Sequence, residues 1–168
     1  GFGPFPYQIS LANADLSRLA LAAPTGAGKT AAAVLAWLWQ RRKAPDETPR
    51  RLILCEPQRT LVEQVYNEIQ KWLSNLELLA EENDNGLVRA QPDKVALHAL
   101  QGGYIDEQWE LFPEQPAVIV GTQDQLLSRA LNRGYAMSRF RWPVHFGLFH
   151  NDVQWVYDEI QLMGPGLP

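Results

Sequence analysis

The stretch Leu19-Ala-Leu-Ala-Ala-Pro-Thr25-Gly-Ala-Gly-Lys-Thr30 decides how the 168-residue chain is read. Leu19–Ala23 is a short apolar run of the kind that forms a buried strand. Thr30–Arg42, rich in Ala, Leu and Trp, reads as a helix; Arg41, Arg42 and Lys43 complement its C-terminus and Pro45 stops it. Between strand and helix, Ala23–Thr30 fits the Walker A pattern except that Ala23 stands where the first Gly belongs. In such a turn the backbone of Thr25, Gly26, Ala27 and Gly28 can aim amides at a phosphate, and the helix start adds partial positive charge. Lys29 would then hold the β- and γ-phosphates of ATP, and the Thr30 hydroxyl would ligate Mg²⁺. The plain alternative is a glycine-rich turn followed by an accidental Lys-Thr. The strand and helix on either side favour the nucleotide.

Working outward, further apolar runs at Leu52–Cys55, Val95–Leu100, Val118–Val120 and Val153–Tyr157 also read as buried strands. A helix between them places Leu61, Val62, Val65, Ile69, Trp72, Leu73 and Leu76 on one face, with Thr60 and Glu63 at capping-box spacing. Another follows Thr122, with Thr122 and Gln125 at the same spacing, a stripe of Leu126, Leu127, Ala130 and Leu131, and Gly134 as the expected C-terminal cap. Strands alternating with helices predict an α/β fold: a mostly parallel sheet with helices on both faces and ligands at the carboxyl ends of the strands.

The chemistry-bearing residues fall at those ends. Val153–Tyr157 runs into Asp158-Glu159, the pattern of a Walker B segment, in which Asp158 would hold Mg²⁺ and Glu159 would polarise the attacking water. Alone, two acids after a strand usually form a solvated turn; a Walker A motif upstream shifts the reading toward catalysis. Arg59 and Thr60, at the start of the second helix, can be an ordinary helix start with a surface charge or a contact to a nucleic-acid phosphate. Thr122 poses the same choice, and Gln101-Gly102-Gly103 is a plain turn or a close backbone approach to phosphate. Ahead of the P-loop, Phe5-Pro6-Tyr7-Gln8 offers an aromatic to stack on adenine and Gln8 to read its polar edge; otherwise it is a packed N-terminal segment.

Composition narrows the classes. Hydrophobic residues make up 46% and charged residues 20%, which argues for one globular domain, and no apolar run approaches the roughly 20 residues that span a bilayer. Cys55 is the only cysteine, so an internal disulfide and a cysteine-based zinc site are excluded, in keeping with a cytoplasmic protein. His98, His145 and His150 lack metal-ligand spacing and read as packed or surface histidines; Trp37, Trp39 and Trp72 lie on helical faces and read as core. The net charge of −4 means that nucleic acid would be bound by local donors and not by a broad basic field.

The ordered set Gln8, Ala23–Thr30, Pro57–Gln64, Gly102-Gly103, Gly121–Gln125 and Asp158–Gln161 resembles the first RecA-like lobe of superfamily 2 DEAD/DEAH-type helicases. More narrowly, Gly121–Leu131, Arg139–Asn151 and Asp158–Gly166 look like the helicase part of the CRISPR-associated type I helicase-nuclease, closest to its I-U/I-G-like branch. The resemblance implies a RecA-like P-loop fold and an ATP-dependent motor in antiviral defence. It would be recruited by an RNA-guided effector complex and translocate on single-stranded DNA. It assigns nucleotide contacts to Gln8, Gly26, Gly28, Lys29 and Thr30, Mg²⁺ and hydrolysis to Asp158 and Glu159, and DNA-backbone contacts to Arg59, Thr60, Gly103 and Thr122. It also makes residues 1–168 an N-terminal RecA-like lobe from which the protein's second RecA-like lobe and a nuclease are absent, as are the coupling motif expected after the acidic pair and the arginine fingers. A restriction-type DNA translocase lobe and a non-catalytic nucleic-acid-binding module are the competing readings.

Overall fold

A computed structural model describes residues 3–15, 19–24, 26–81, 91–102, 104–105, 109–134 and 137–164. The chain divides into two compact units, residues 1–49 and 50–168.

The first unit is built on two helices, α1 (Pro6–Asn13) and α2 (Lys29–Lys43), which pack together. Val34, Trp37 and Leu38 recur at helical spacing and are buried, and the Trp37 indole donates to Pro49 O at 2.8 Å. Trp39 lies on the opposite side with Leu35 and is 55% exposed, so the expectation that it packs in the core is corrected. The expected strand at Leu19–Ala23 is also absent: residues 19–24 join no sheet, and Leu19 and Leu21 are exposed. A single extended segment keeps its backbone groups on solvent unless a ladder partner takes them, and the described elements of this unit are helices.

The second unit is an α/β layer. Its sheet has the order β3-β2-β4-β1-β5, with β1 (Arg51–Glu56), β2 (Ala96–Gln101), β4 (Ala117–Thr122) and β5 (Val153–Tyr157) mutually parallel. A two-residue β3 (Tyr104–Ile105), not expected from sequence, runs antiparallel on β2. The central strands β1 and β4 are buried on both faces, as parallel strands between helices must be. Ile53, Cys55 and Ile119 pack with Leu126 of α4 (Gln123–Ala130) and Phe149 of α5 (Trp142–His150). Alternate residues Leu52, Leu54, Val118 and Val120 are equally buried, and α3 (Arg59–Asn75) packs on the same strands through Val62, Val65, Ile69 and Leu73.

Helix ends depart from the expected caps. Neither Thr60 nor Thr122 makes a side-chain capping bond; Arg59 reaches Glu63 instead, and Gln125 is buried and accepts from Arg129. The Leu126 stripe is likewise narrower than expected: Gln125, Leu126 and Arg129 are buried while Leu131 is 66% exposed. The end of α4 is closed by Asn132 at φ 57, with Arg133 N–H bonding Ser128 O at 2.8 Å, so the left-handed cap precedes Gly134. Among the described residues, no helix is long and apolar enough to cross a membrane.

Candidate nucleotide and nucleic-acid site

In the first unit the P-loop motif forms the turn into α2. Gly26 and Gly28 take φ of 79° and 74°, where a side chain would be strained, and Gly28 is the N-cap of a 15-residue helix. The first-turn N–H groups of that helix have no carbonyl of their own helix to bond, which makes its start an anion-binding end. The Lys29 amine lies over the loop, donating to Ala23 O at 3.2 Å and Pro24 O at 3.4 Å. The same unit brings the upstream segment to the loop: Tyr7 hydroxyl donates to Ala27 O, and a Cβ on Gly28 would stand 3.4 Å from Gln8 Nε2. Gln8 Oε1 accepts the Phe5 N–H at 2.9 Å, fixing the start of α1, and the Phe5 and Tyr7 rings stack at 6.2 Å. Gln8, Gly26, Ala27, Gly28, Lys29 and Thr30 therefore cluster around one turn, while Thr25 lies outside the described residues.

In the second unit the acidic pair follows β5. Asp158 N–H donates to Cys55 O at 3.1 Å, extending the ladder one residue beyond the strand, and Asp158 Oδ1 accepts the Glu159 N–H at 2.9 Å. Glu159 sits in the left-handed region at φ 48°, an unusual conformation for an acid, and its carboxylate accepts from Gln161. Beside the pair, Glu56 ends β1 with 1% exposure and its Oε1 unpartnered. Burial first, then the charges of Asp158 and Glu159, push the Glu56 carboxyl up to about 7. Sequence reasoning missed Glu56; the available signal was an acid closing the otherwise apolar run Leu52–Cys55.

Arg59, Thr60 and Thr122 lie at the carboxyl ends of neighbouring strands, where Glu56 and Thr122 are register partners. Arg59 and Thr60 are exposed, and the Arg59–Glu63 pair at 3.3 Å is of the surface kind that contributes little to stability. Gly121, next to Thr122, is fixed by packing: a Cβ there would lie 2.7 Å from Leu100 O and 2.8 Å from Leu126 Cγ. Gly103 lies outside the described residues, and Gly102 is exposed.

The first unit offers what nucleotide phosphates need, positive-φ glycines at a helix start and a lysine at the first helical position, and the second unit offers, by itself, an acid at a strand end. Among the described residues no group of three or more His, Cys, Asp or Glu side chains could hold a metal by itself. A Mg²⁺ ion that arrives with a nucleotide needs only one or two side chains besides the substrate phosphates.

The family model described as DEAD/DEAH box helicase matches residues 6–165. No curated protein matches the chain. The match spans the P-loop, the parallel sheet and the acidic pair, and the chain belongs to the DEAD/DEAH box helicase family as a RecA-like α/β lobe of an ATP-dependent nucleic-acid helicase.

Proposed function

We propose that this chain is the nucleotide-binding lobe of an ATP-driven motor that translocates on single-stranded DNA in prokaryotic antiviral defence, recruited by an RNA-guided effector complex. The observation that carries the motor reading is the loop in which Gly26 and Gly28 turn the backbone into α2 with Lys29 as its first residue. Lys29 and the loop amides bind and orient the phosphates, Thr30 and Asp158 hold Mg²⁺, and Glu159 orients the water. Bound ATP supplies the phosphoanhydride whose cleavage drives movement. Arg59, Thr60 and Thr122 grip the DNA backbone without reading sequence. The defence role and the choice of DNA rest on the resemblance of the stretches Gly121–Leu131, Arg139–Asn151 and Asp158–Gly166 to the helicase part of the CRISPR-associated helicase-nuclease.

The test is thermal. At a nucleotide concentration about a hundred times the dissociation constant, Mg-ATP should add about 2.7 kcal/mol to the stability of the native chain. Lys29→Ala should melt near the wild-type temperature without nucleotide and lose the increment, since the partner proposed for its amine is the nucleotide phosphate. A wild-type chain whose melting temperature ignores Mg-ATP would sink the assignment.

A further inference from the structure

The strand-end motifs leave one basic, aromatic segment unused. Between Asp124 and Asp152 the sequence holds four arginines, five aromatic residues and no acid, in a chain whose net charge is −4. Folding sorts those arginines. Arg129 is fully buried and donates to Gln125, and Arg141 is turned inward onto Glu110 at 2.7 Å, where Glu110 also receives His145. Arg133 and Arg139 are exposed. Gly134, next to Arg133 in the chain, abuts Trp142, where an added Cβ would stand 2.3 Å from the ring, and the Arg139 guanidinium lies 5.9 Å from the centre of the same ring, so the two positions adjoin one indole. Between the inward Arg141 and the outward Arg139, Phe140 projects from a single turn of 3-10 helix (Arg139–Arg141) with 94% of its surface exposed.

We infer that this surface is a second contact for single-stranded nucleic acid, with Phe140 stacking on a base and Arg139 and Arg133 on the flanking phosphates. The inference rests on the nucleic-acid motor reading and adds a binding surface outside its motifs. Stacking suits an exposed phenyl ring because every base has a π-face, and guanidinium groups match phosphate oxygens in bidentate geometry. The neighbouring Val144 and Phe146, 48% and 42% exposed, would also suit an apolar protein partner. The two exposed arginines, Arg133 and Arg139, favour a polyanion instead.

The experiment uses the full-length protein and fluorescein-labelled oligothymidylate, with the dissociation constant measured across a salt series. Phe140→Ala should bind about tenfold more weakly, and Phe140→Trp should restore binding. Arg139→Ala should lower the slope of log K against log salt by about 0.7. Melting temperatures should stay at the wild-type value, since both side chains are exposed. Wild-type affinity and slope in Phe140→Ala and Arg139→Ala, alongside weakened binding in Arg59→Ala, would overturn this contact while leaving the motor reading intact, and would assign the surface to a protein partner. Weakening in Phe140→Ala that Trp does not rescue would overturn the stacking role. A wild-type protein that fails to bind the oligonucleotide would remove both readings together.

Discussion

Glu56 is buried among charges of its own sign, and that has a measurable cost. Its carboxyl, ordinarily near ~4.3 in an unfolded chain, is pushed up to about 7 in the fold by burial and by Asp158 and Glu159. The folded state then holds the proton more tightly than the unfolded one. Its contribution to stability is fully present below the unfolded value and is lost as pH rises through about 7. Glu56→Gln keeps the shape and removes the charge, so its melting temperature should exceed the wild type's at about pH 8 by the equivalent of more than about 1 kcal/mol. The two proteins should converge near pH 4; a constant offset at both pH values would show that Glu56 ionises freely. Cys55, beside it, has its thiol pushed up to about 12 by burial and then by the charges of Glu56 and Asp124, which makes it an inert core residue. The turn that carries Lys29 and the strand end that carries Asp158 were legible in the sequence because a motif fixes their neighbours. Glu56 was not, since one acid after an apolar run looks like a solvated strand end until the adjacent strand brings two more.

Between elements, the unforeseen contribution comes from Arg51, the first residue of β1. Its guanidinium is buried and donates to three carbonyls, Leu148 at 3.2 Å, Pro113 at 2.8 Å and Asn151 at 2.6 Å. One side chain thus ties β1 to the end of α5 and to the loop before β4. Burial lowers its pKa from the usual guanidinium value, with Asp152 opposing that shift. Arg51→Met fills similar volume but leaves those acceptors unsatisfied, and urea unfolding of the chain should show a loss of about 3 kcal/mol. A loss below about 1 kcal/mol would mean that water replaces the three donors. The strands β1, β2, β4 and β5 and the helices α2, α3 and α4 were legible as apolar periodicity. The caps were not, because Thr60 and Thr122 have the right spacing but their helices end and begin on other bonds. Leu19–Ala23 failed for a related reason: apolar composition marks a strand only when a ladder partner is present, and composition does not say which neighbour supplies it.

At the scale of the whole molecule, the P-loop lies in the unit of residues 1–49 and the acidic pair in the unit of residues 50–168. In the roles proposed above, Lys29 would address phosphate, Thr30 and Asp158 the metal and Glu159 the water, a set that carries little positive charge for the γ-phosphate. In motors of this type an arginine from a second lobe supplies that charge, and such a finger is worth on the order of a thousand- to a hundred-thousand-fold in rate. Unwinding further requires two lobes that close and open with the nucleotide, and a single lobe has nothing to close against. The chain alone should therefore bind Mg-ATP, release phosphate slowly with or without DNA, and unwind nothing. Steady-state phosphate release with saturating single-stranded DNA, compared between this chain and a protein that also carries a second RecA-like lobe, measures the difference directly. Equal DNA-stimulated turnover in both would refute the two-lobe requirement. Turnover in neither would favour a non-catalytic nucleic-acid-binding module, and a Lys29→Ala change in the two-lobed protein should abolish whatever turnover the second lobe restores.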